Sequence, residues 1–242
     1  MSEEIAILMA AGLGSRMKPI TNDIPKPLVE VRGVPLIETL IDAFEQKGIS
    51  KIYIVTGYLK DRFYYLKEKY PNIVFIENKE YLEKNNISSL KAAGEVLGSA
   101  DCYICEADLF LKDIQILERT YEQSVYFGKR IGKPIEDWGF QADKGRIRKI
   151  QKSWENTYKM AGISWWTKKD ANRIKEAIEV FYRQSGHELL FWDEVVNSML
   201  EDLHIKIEEI PENSVIEVDT LEELCEIDKK YRKYLIKEEE HL

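Results

Sequence analysis

An unbroken apolar run over residues 5–11, emptying into Gly12-Leu13-Gly14-Ser15-Arg16, constrains this chain more than any other stretch of it. Apolar residues without polar alternation predict a strand covered on both faces, as in parallel sheets. The alternate glycines then let the backbone turn sharply. Several N–H groups can approach a ligand with no Cβ in the way, which is the geometry of a phosphate cradle. Arg16 adds a planar fork of donors that matches phosphate oxygens, and nothing acidic lies between Ala11 and Asn22. Further on, Pro25-Lys26-Pro27-Leu28 sets a lysine between two prolines. Restricted backbone on both sides predicts an extended, stiff stem that presents the ammonium at one place. The pattern lacks the third glycine of a dinucleotide-binding turn and the Gly-Lys-Ser/Thr of a P-loop.

The rest of the first half alternates helix and strand, the pattern of a mostly parallel sheet covered by helices. Leu36, Ile37, Leu40, Ile41 and Phe44 mark a helical stripe ended by Gly48. Residues 51–56 read as a strand, 60–70 as a helix stopped before Pro71, and 73–76 as a strand. A helix opens near Ser88, and 102–105 is a further strand. Glu106 and Asp108 therefore fall at a strand's carboxyl end, on the sheet edge where the glycine loop lies and where open α/β sheets bind ligands. From 124 to 166 the texture shifts to short strand-like pieces, and we expect a small insert over about residues 124–204. Helical spacing returns at Ile174, Ile178 and Phe181 and again over 195–200, before strands at 205–210 and 215–218. Thr220 and Glu223 have capping-box spacing at the start of a closing helix.

Composition bounds the partners. A chain of 242 residues, 44% apolar and 32% charged, can bury a core in one domain spanning 1–242. A formal net charge of −8 argues against sequence-independent binding to nucleic acid or to an anionic membrane. With no secretory leader and no run of about 18 apolar residues, a cytoplasmic location is expected. The three cysteines, Cys102, Cys105 and Cys225, are an odd number and predict no disulfide framework. Cys102 and Cys105 have redox or half-zinc spacing, but i and i+3 of a strand face opposite sides, so both read as core. The charged run 238–240 is compatible with a fused partner domain, and a homodimer is also open.

Ala10-Ala11-Gly12-Leu13-Gly14-Ser15-Arg16 together with Pro25-Lys26-Pro27-Leu28 resembles the nucleotidyltransferase superfamily that activates phosphorylated small molecules. Asn85-Asn86, Glu106-Ala107-Asp108, Glu136-Asp137-Trp138, Phe191-Trp192-Asp193 and Glu217-Val218-Asp219 resemble its branch of bacterial CTP:phosphocholine cytidylyltransferases. The fold so implied is α/β: a Rossmann-like, mixed but mostly parallel central sheet with flanking helices, the insert lying on the acceptor side. The activity implied is transfer of CMP from CTP to a small zwitterionic phosphate or phosphonate. Such a reaction needs positioned positive charge and no covalent nucleophile, which agrees with the lack of a Ser-His-Asp or Cys-His set.

The resemblance implies a role for each matching residue. Lys26 and Arg16 are catalytic cations, and Ala10, Ala11, Gly12, Gly14 and Ser15 bind the nucleotide. Asp108 and Asp219 hold Mg²⁺, with Glu106 beside them. Each aspartate also has a plainer reading as a helix N-cap or loop residue. Asn85, Asn86 and Ser89 match the segment that reads the base, although Asn-Asn-x-x-Ser is also a capping arrangement. Trp138, Phe191 and Trp192 would face a quaternary ammonium, with Glu136, Asp137 and Asp193 adding negative charge. Phe191 stands where a tyrosine is expected, so a primary ammonium, as in 2-aminoethylphosphonate or phosphoethanolamine, is the competing acceptor. A sugar-1-phosphate nucleotidylyltransferase and a non-catalytic nucleotide-binding module are the remaining alternatives.

Overall fold

The structure, a computed structural model, describes residues 3–134 and 136–239. It opens on β1 (Glu4–Ala10), where Ile5 and Ile7 face one side and Ala6 and Leu8 the other, all essentially buried. The apolar run is thus a strand sandwiched between two layers, as its lack of alternation predicts. A hairpin of β2 (Glu30–Val31) and β3 (Val34–Pro35) leads into α1 (Leu36–Lys47), which ends on Gly48 in the left-handed conformation. β4 (Lys51–Thr56) runs parallel to β1.

The helix expected over 60–70 forms only in part. A 3₁₀ turn at Lys60–Phe63 is followed by the short α2 (Leu66–Lys69). Phe63, Leu66 and Tyr70 reach the core, too narrow a stripe to hold a long amphipathic helix. Side-chain bonds replace it: Tyr65, Lys69 and Tyr70 all donate to the buried Glu38 carboxylate on α1.

β5 (Ile73–Glu77), α3 (Ile87–Ala92) and β6 (Asp101–Glu106) complete the parallel half, in the order β5-β4-β1-β6. Cys102 and Cys105 are buried in the clusters on opposite faces of β6. After β7 (Leu109–Leu111) come β8 (Val125–Arg130), β9 (Trp138–Asp143), β10 (Arg146–Lys152) and β11 (Tyr158–Trp166). Next are α4 (Lys168–Phe181), α5 (Trp192–Ser198), β12 (Lys206–Glu209), β13 (Val215–Glu217), α6 (Leu221–Ile227) and α7 (Arg232–Glu239). The acidic run 238–240 therefore ends outside the described residues.

The segment read from sequence as an insert continues the main sheet. β11 lies antiparallel to β6, and the order runs on through β8, β12, β10 and β9 to nine strands. β9 also pairs with β11, so the last five strands close on one another. A separate ladder of β7 with β13 sets Leu109 opposite Glu217. That register brings the residues just before β7 and just after β13 to one place. No helix among the described residues is long and apolar enough to cross a membrane.

Candidate active site

The carboxyl ends of β1, β5 and β6 open onto a cleft of about 500 Å³. Its floor is the glycine loop after β1. Gly14 sits at φ +61, and a Cβ there would stand 2.9 Å from Lys26 Cβ, so the loop and the lysine pack directly on each other. A side chain at Gly14 would push the lysine away. Around Gly12, by contrast, nothing lies within 4 Å of where a Cβ would be.

Lys26 differs from its expected conformation. It begins a 3₁₀ turn, Lys26–Leu28, in which Leu28 N–H donates to Pro25 O at 2.8 Å and Val29 N–H to Lys26 O at 3.1 Å. The fixed φ of Pro27 suits the first turn of a helix as well as an extended chain. The stem is stiff for that reason, and Lys26 is only 7% exposed.

Its Nζ donates to Asp108 Oδ2 at 2.5 Å and to Asp219 Oδ1 at 2.6 Å, while Arg16 Nη2 donates to the same Asp219 oxygen at 2.8 Å. The cations that look unopposed in sequence are thus balanced by acids from 82 and 193 or more residues away. Burial alone would lower the pKa of Lys26, but Asp108 and Asp219 more than reverse this and hold it raised. Burial pushes Asp219 upward too, yet Lys26 and Arg16 outweigh it, so its carboxyl is held low and charged.

The capping reading of Asp219 is excluded. Thr220 is the N-cap of α6, and a capping box with Glu223 satisfies the first turn. Asp219 is left to face Lys26 and Arg16. Among the described residues Asp108 Oδ1 is buried without a hydrogen-bond partner. Glu106 and Glu217 stand close by. Burial, then repulsion from Asp108 and Asp219, lifts Glu217 to about 8, and Glu106 is raised well above the usual carboxylate range by burial and by Glu217.

Along the wall formed by β5 and α3, Asn78 just after β5 is buried and donates to the hydroxyls of Ser88 and Ser89 at 2.8 and 3.3 Å. Ser89 belongs to the cleft wall, as do Asn85 and Asn86. Asn86 occupies the N-cap position of α3 but makes no side-chain cap bond there, and both amides are engaged elsewhere: Asn85 Nδ2 donates to Leu189 O, and Asn86 Oδ1 accepts from Trp192 N–H. Asn78, Tyr81 and Lys84 also line the cleft and had no sequence signal beyond their nearness to Asn85.

A side pocket of about 40 Å³ opens off the cleft. Its walls include the rings of Trp138 and Phe191, 5.2 Å apart and tilted at 57°, the carboxyl groups of Glu106, Asp137, Asp193 and Glu217, and the side chain of Lys159. Asp193 is buried, and although Tyr126 OH donates to it at 2.8 Å, burial lifts its pKa to about 7. Lys159 pairs with Asp137 at 2.7 Å. Two expected members are displaced. Trp192 is 3% exposed and packs in the core, stacked on Tyr126 and edge-on to Trp166, so it is no wall of the cleft. Glu136 is exposed and lies outside the lining. A residue missed from sequence, Lys152, reaches the cleft beside Trp138, its Nζ 6.0 Å from the ring centroid.

A phosphate-sized loop, a lysine and arginine held by two aspartates, and an acidic aromatic recess thus share one cleft. A family model of MobA-like NTP transferase domains matches residues 6–155. The chain belongs to that family. Members similar over nearly the whole length include the 2-aminoethylphosphonate cytidylyltransferase of Lancefieldella rimae, 44% identical over 93% of this chain and 92% of that one. The choline-phosphate cytidylyltransferase of Streptococcus pneumoniae is 32% identical over 93% and 96%. The solved structure of a CTP:phosphocholine cytidylyltransferase from Streptococcus pneumoniae superposes with a TM-score of 0.86 at 32% identity, covering 94% and 99% of the two chains. This MobA-like chain is therefore an enzyme, a nucleotidyltransferase, and the relatives just named are cytidylyltransferases.

Proposed function

We propose that the enzyme transfers the cytidylyl group of CTP to 2-aminoethylphosphonate with release of pyrophosphate. The observation that carries the choice of acceptor is the side pocket. A primary ammonium has three N–H donors and needs oxygen acceptors, and this small recess is lined by four carboxyl groups against one cation, Lys159, which is already paired with Asp137. A trimethylammonium group has no N–H to donate and is recognised by aromatic faces. Trp138 and Phe191 supply two such faces, which keeps phosphocholine as the second reading. The 44% identity to an enzyme named for the phosphonate favours the first.

The acceptor's phosphonate oxygen attacks the α-phosphorus of CTP. A P–O–P bond forms, the α–β bridging P–O bond breaks, and the electron pair leaves on pyrophosphate. The glycine loop's N–H groups and Arg16 receive the nucleotide phosphates, and Lys26 turns from its aspartates to the charge that gathers where the two anions meet. Lys152, which among the described residues has no ion-pair partner, lines the cleft beside Trp138 and is the cation to steady the incoming phosphonate. Ser89, whose hydroxyl oxygen accepts from Asn78 Nδ2 and keeps its own O–H to donate, is the cleft-wall group best placed to meet the edge of cytosine, with Asn78 holding it in position.

The carboxylates of Asp108 and Asp219, with the unpartnered Asp108 Oδ1, are an oxygen donor set suited to Mg²⁺. Bound there with the nucleotide, the ion neutralises phosphate charge. Pyrophosphate release measured with each of the four ribonucleoside triphosphates against 2-aminoethylphosphonate, phosphocholine and glucose 1-phosphate tests the reading. CTP with the aminophosphonate should give the highest kcat/KM. Preference for the sugar phosphate would overturn it.

A further inference from the structure

α5 begins in an unusual way. Its N-cap is Phe191, which has no side-chain acceptor, where serine, threonine, aspartate or asparagine normally receives a first-turn N–H. Glu194 on the first turn reaches back to accept the N–H of Phe191 at 2.8 Å, and the N–H of Trp192 is left over. Its acceptor comes from a distant part of the chain: Asn86 Oδ1, at 2.9 Å and 106 residues away. Two further bonds follow the same path. Asn85 N–H donates to Glu188 O at 2.8 Å, and Asn85 Nδ2 to Leu189 O at 3.3 Å. Residues 85–86, on the nucleotide side, are thereby tied to the strap over 188–192 that carries Phe191 to the side pocket.

We infer that Asn86 is a positioning residue for the acceptor: it caps α5 by direct contact from a segment far away in sequence and so holds Phe191 and Asp193 where the ammonium binds. The oxygen that a base-reading asparagine would turn to the nucleotide is already spent on Trp192 N–H. The arrangement also joins the two substrate sites, because a nucleotide settling against 85–89 bears on the segment that shapes the acceptor pocket. Asn86 acts through α5, and its replacement is felt by the acceptor.

The inference rests on the proposed acceptor for its kinetic readout, so a ligand-free measurement comes first. Hydrogen exchange is followed at the Trp192 amide in the wild type, Asn86→Ala and Asn86→Asp. Asn86→Ala should speed exchange by roughly fivefold or more, the scale of a lost N-cap. Asn86→Asp should restore protection, because a carboxylate oxygen accepts the same N–H. At saturating CTP, Asn86→Ala should raise KM for 2-aminoethylphosphonate by roughly fivefold with kcat within about twofold. Asn86→Asp should return KM toward the wild-type value. Wild-type exchange at Trp192 in Asn86→Ala overturns the inference, as does a rise in KM for CTP with acceptor KM unchanged. A wild-type enzyme inactive on the aminophosphonate would sink the proposed acceptor alone, and the exchange result would still decide the role of Asn86.

Discussion

Replacing Lys26 by methionine keeps most of the side-chain volume and removes the ammonium that two carboxylates share. The lysine side chain is 9% exposed, and Asp108 and Asp219 are 21% and 22% exposed. Deleting one partner of a buried ion group typically costs about 3–5 kcal/mol. Arg16 still reaches Asp219, and both acids see some solvent, so about 2–3 kcal/mol is the expected loss at pH 8. The sign with pH follows from the carboxylates. In the wild type the lowered pKa of Asp219 contributes stability above its unfolded pKa, and this is lost only as pH falls toward acid. In the variant Asp219 loses the lysine that holds its pKa down and faces the charge of Asp108, so the pair destabilises as pH climbs and the deficit shrinks toward pH 5. Urea unfolding from pH 5 to 8.5 reads this directly. Turnover should fall on the order of 10²-fold or more, the scale of removing a charge positioned for the transition state. A folded variant with wild-type stability across the pH range, or with turnover within about threefold of normal, would refute the reasoning.

Further outcomes separate the remaining roles. Trp192→Ala, which empties a core site, should cost about 3–5 kcal/mol in urea unfolding. Phe191→Ala should leave stability within about 1 kcal/mol and raise acceptor KM by several-fold, so the reverse ordering would put Trp192 back in the pocket. Asp193 is neutral below about 7 and charged above it, so the KM for an amine acceptor should fall as pH rises through that value. Asp193→Asn should have a higher KM and lose that component of the pH profile. An unchanged profile would show that the ammonium does not meet Asp193. Asp108→Asn should need more Mg²⁺ for half-maximal activity, and an identical Mg²⁺ titration would remove Asp108 as a ligand.

The glycine loop and the stiff stem of Lys26 were legible in the sequence because each carries its constraint locally. An uninterrupted apolar run, alternate glycines and flanking prolines restrict the backbone whatever surrounds them. The acids that balance Lys26 could be named from resemblance, but their contact depends on β7 pairing with β13, which no local pattern shows. The acceptor side was harder. Successive residues at a helix start point about 100° apart, so Phe191 and Trp192 have opposite fates, one at the pocket and one in the core. Which is which depends on where α5 begins, and that is set by Glu194 and by Asn86 from far upstream. Lys152 lies in a strand with Arg146, Arg148 and Lys149, and nothing in that basic run distinguishes the lysine that meets the cleft. The helix expected over 60–70 failed because a tertiary hub at Glu38 took its polar side chains.

The most direct test of the account is competition in a single tube. Limiting CTP is given to the enzyme with Mg²⁺ and equal concentrations of 2-aminoethylphosphonate and phosphocholine, and the products are followed by ³¹P NMR. The acidic recess predicts that the main product carries a phosphonate phosphorus coupled to the cytidylyl phosphorus, with pyrophosphate formed in equal amount. A product mixture dominated by the diphosphate ester of choline would contradict it.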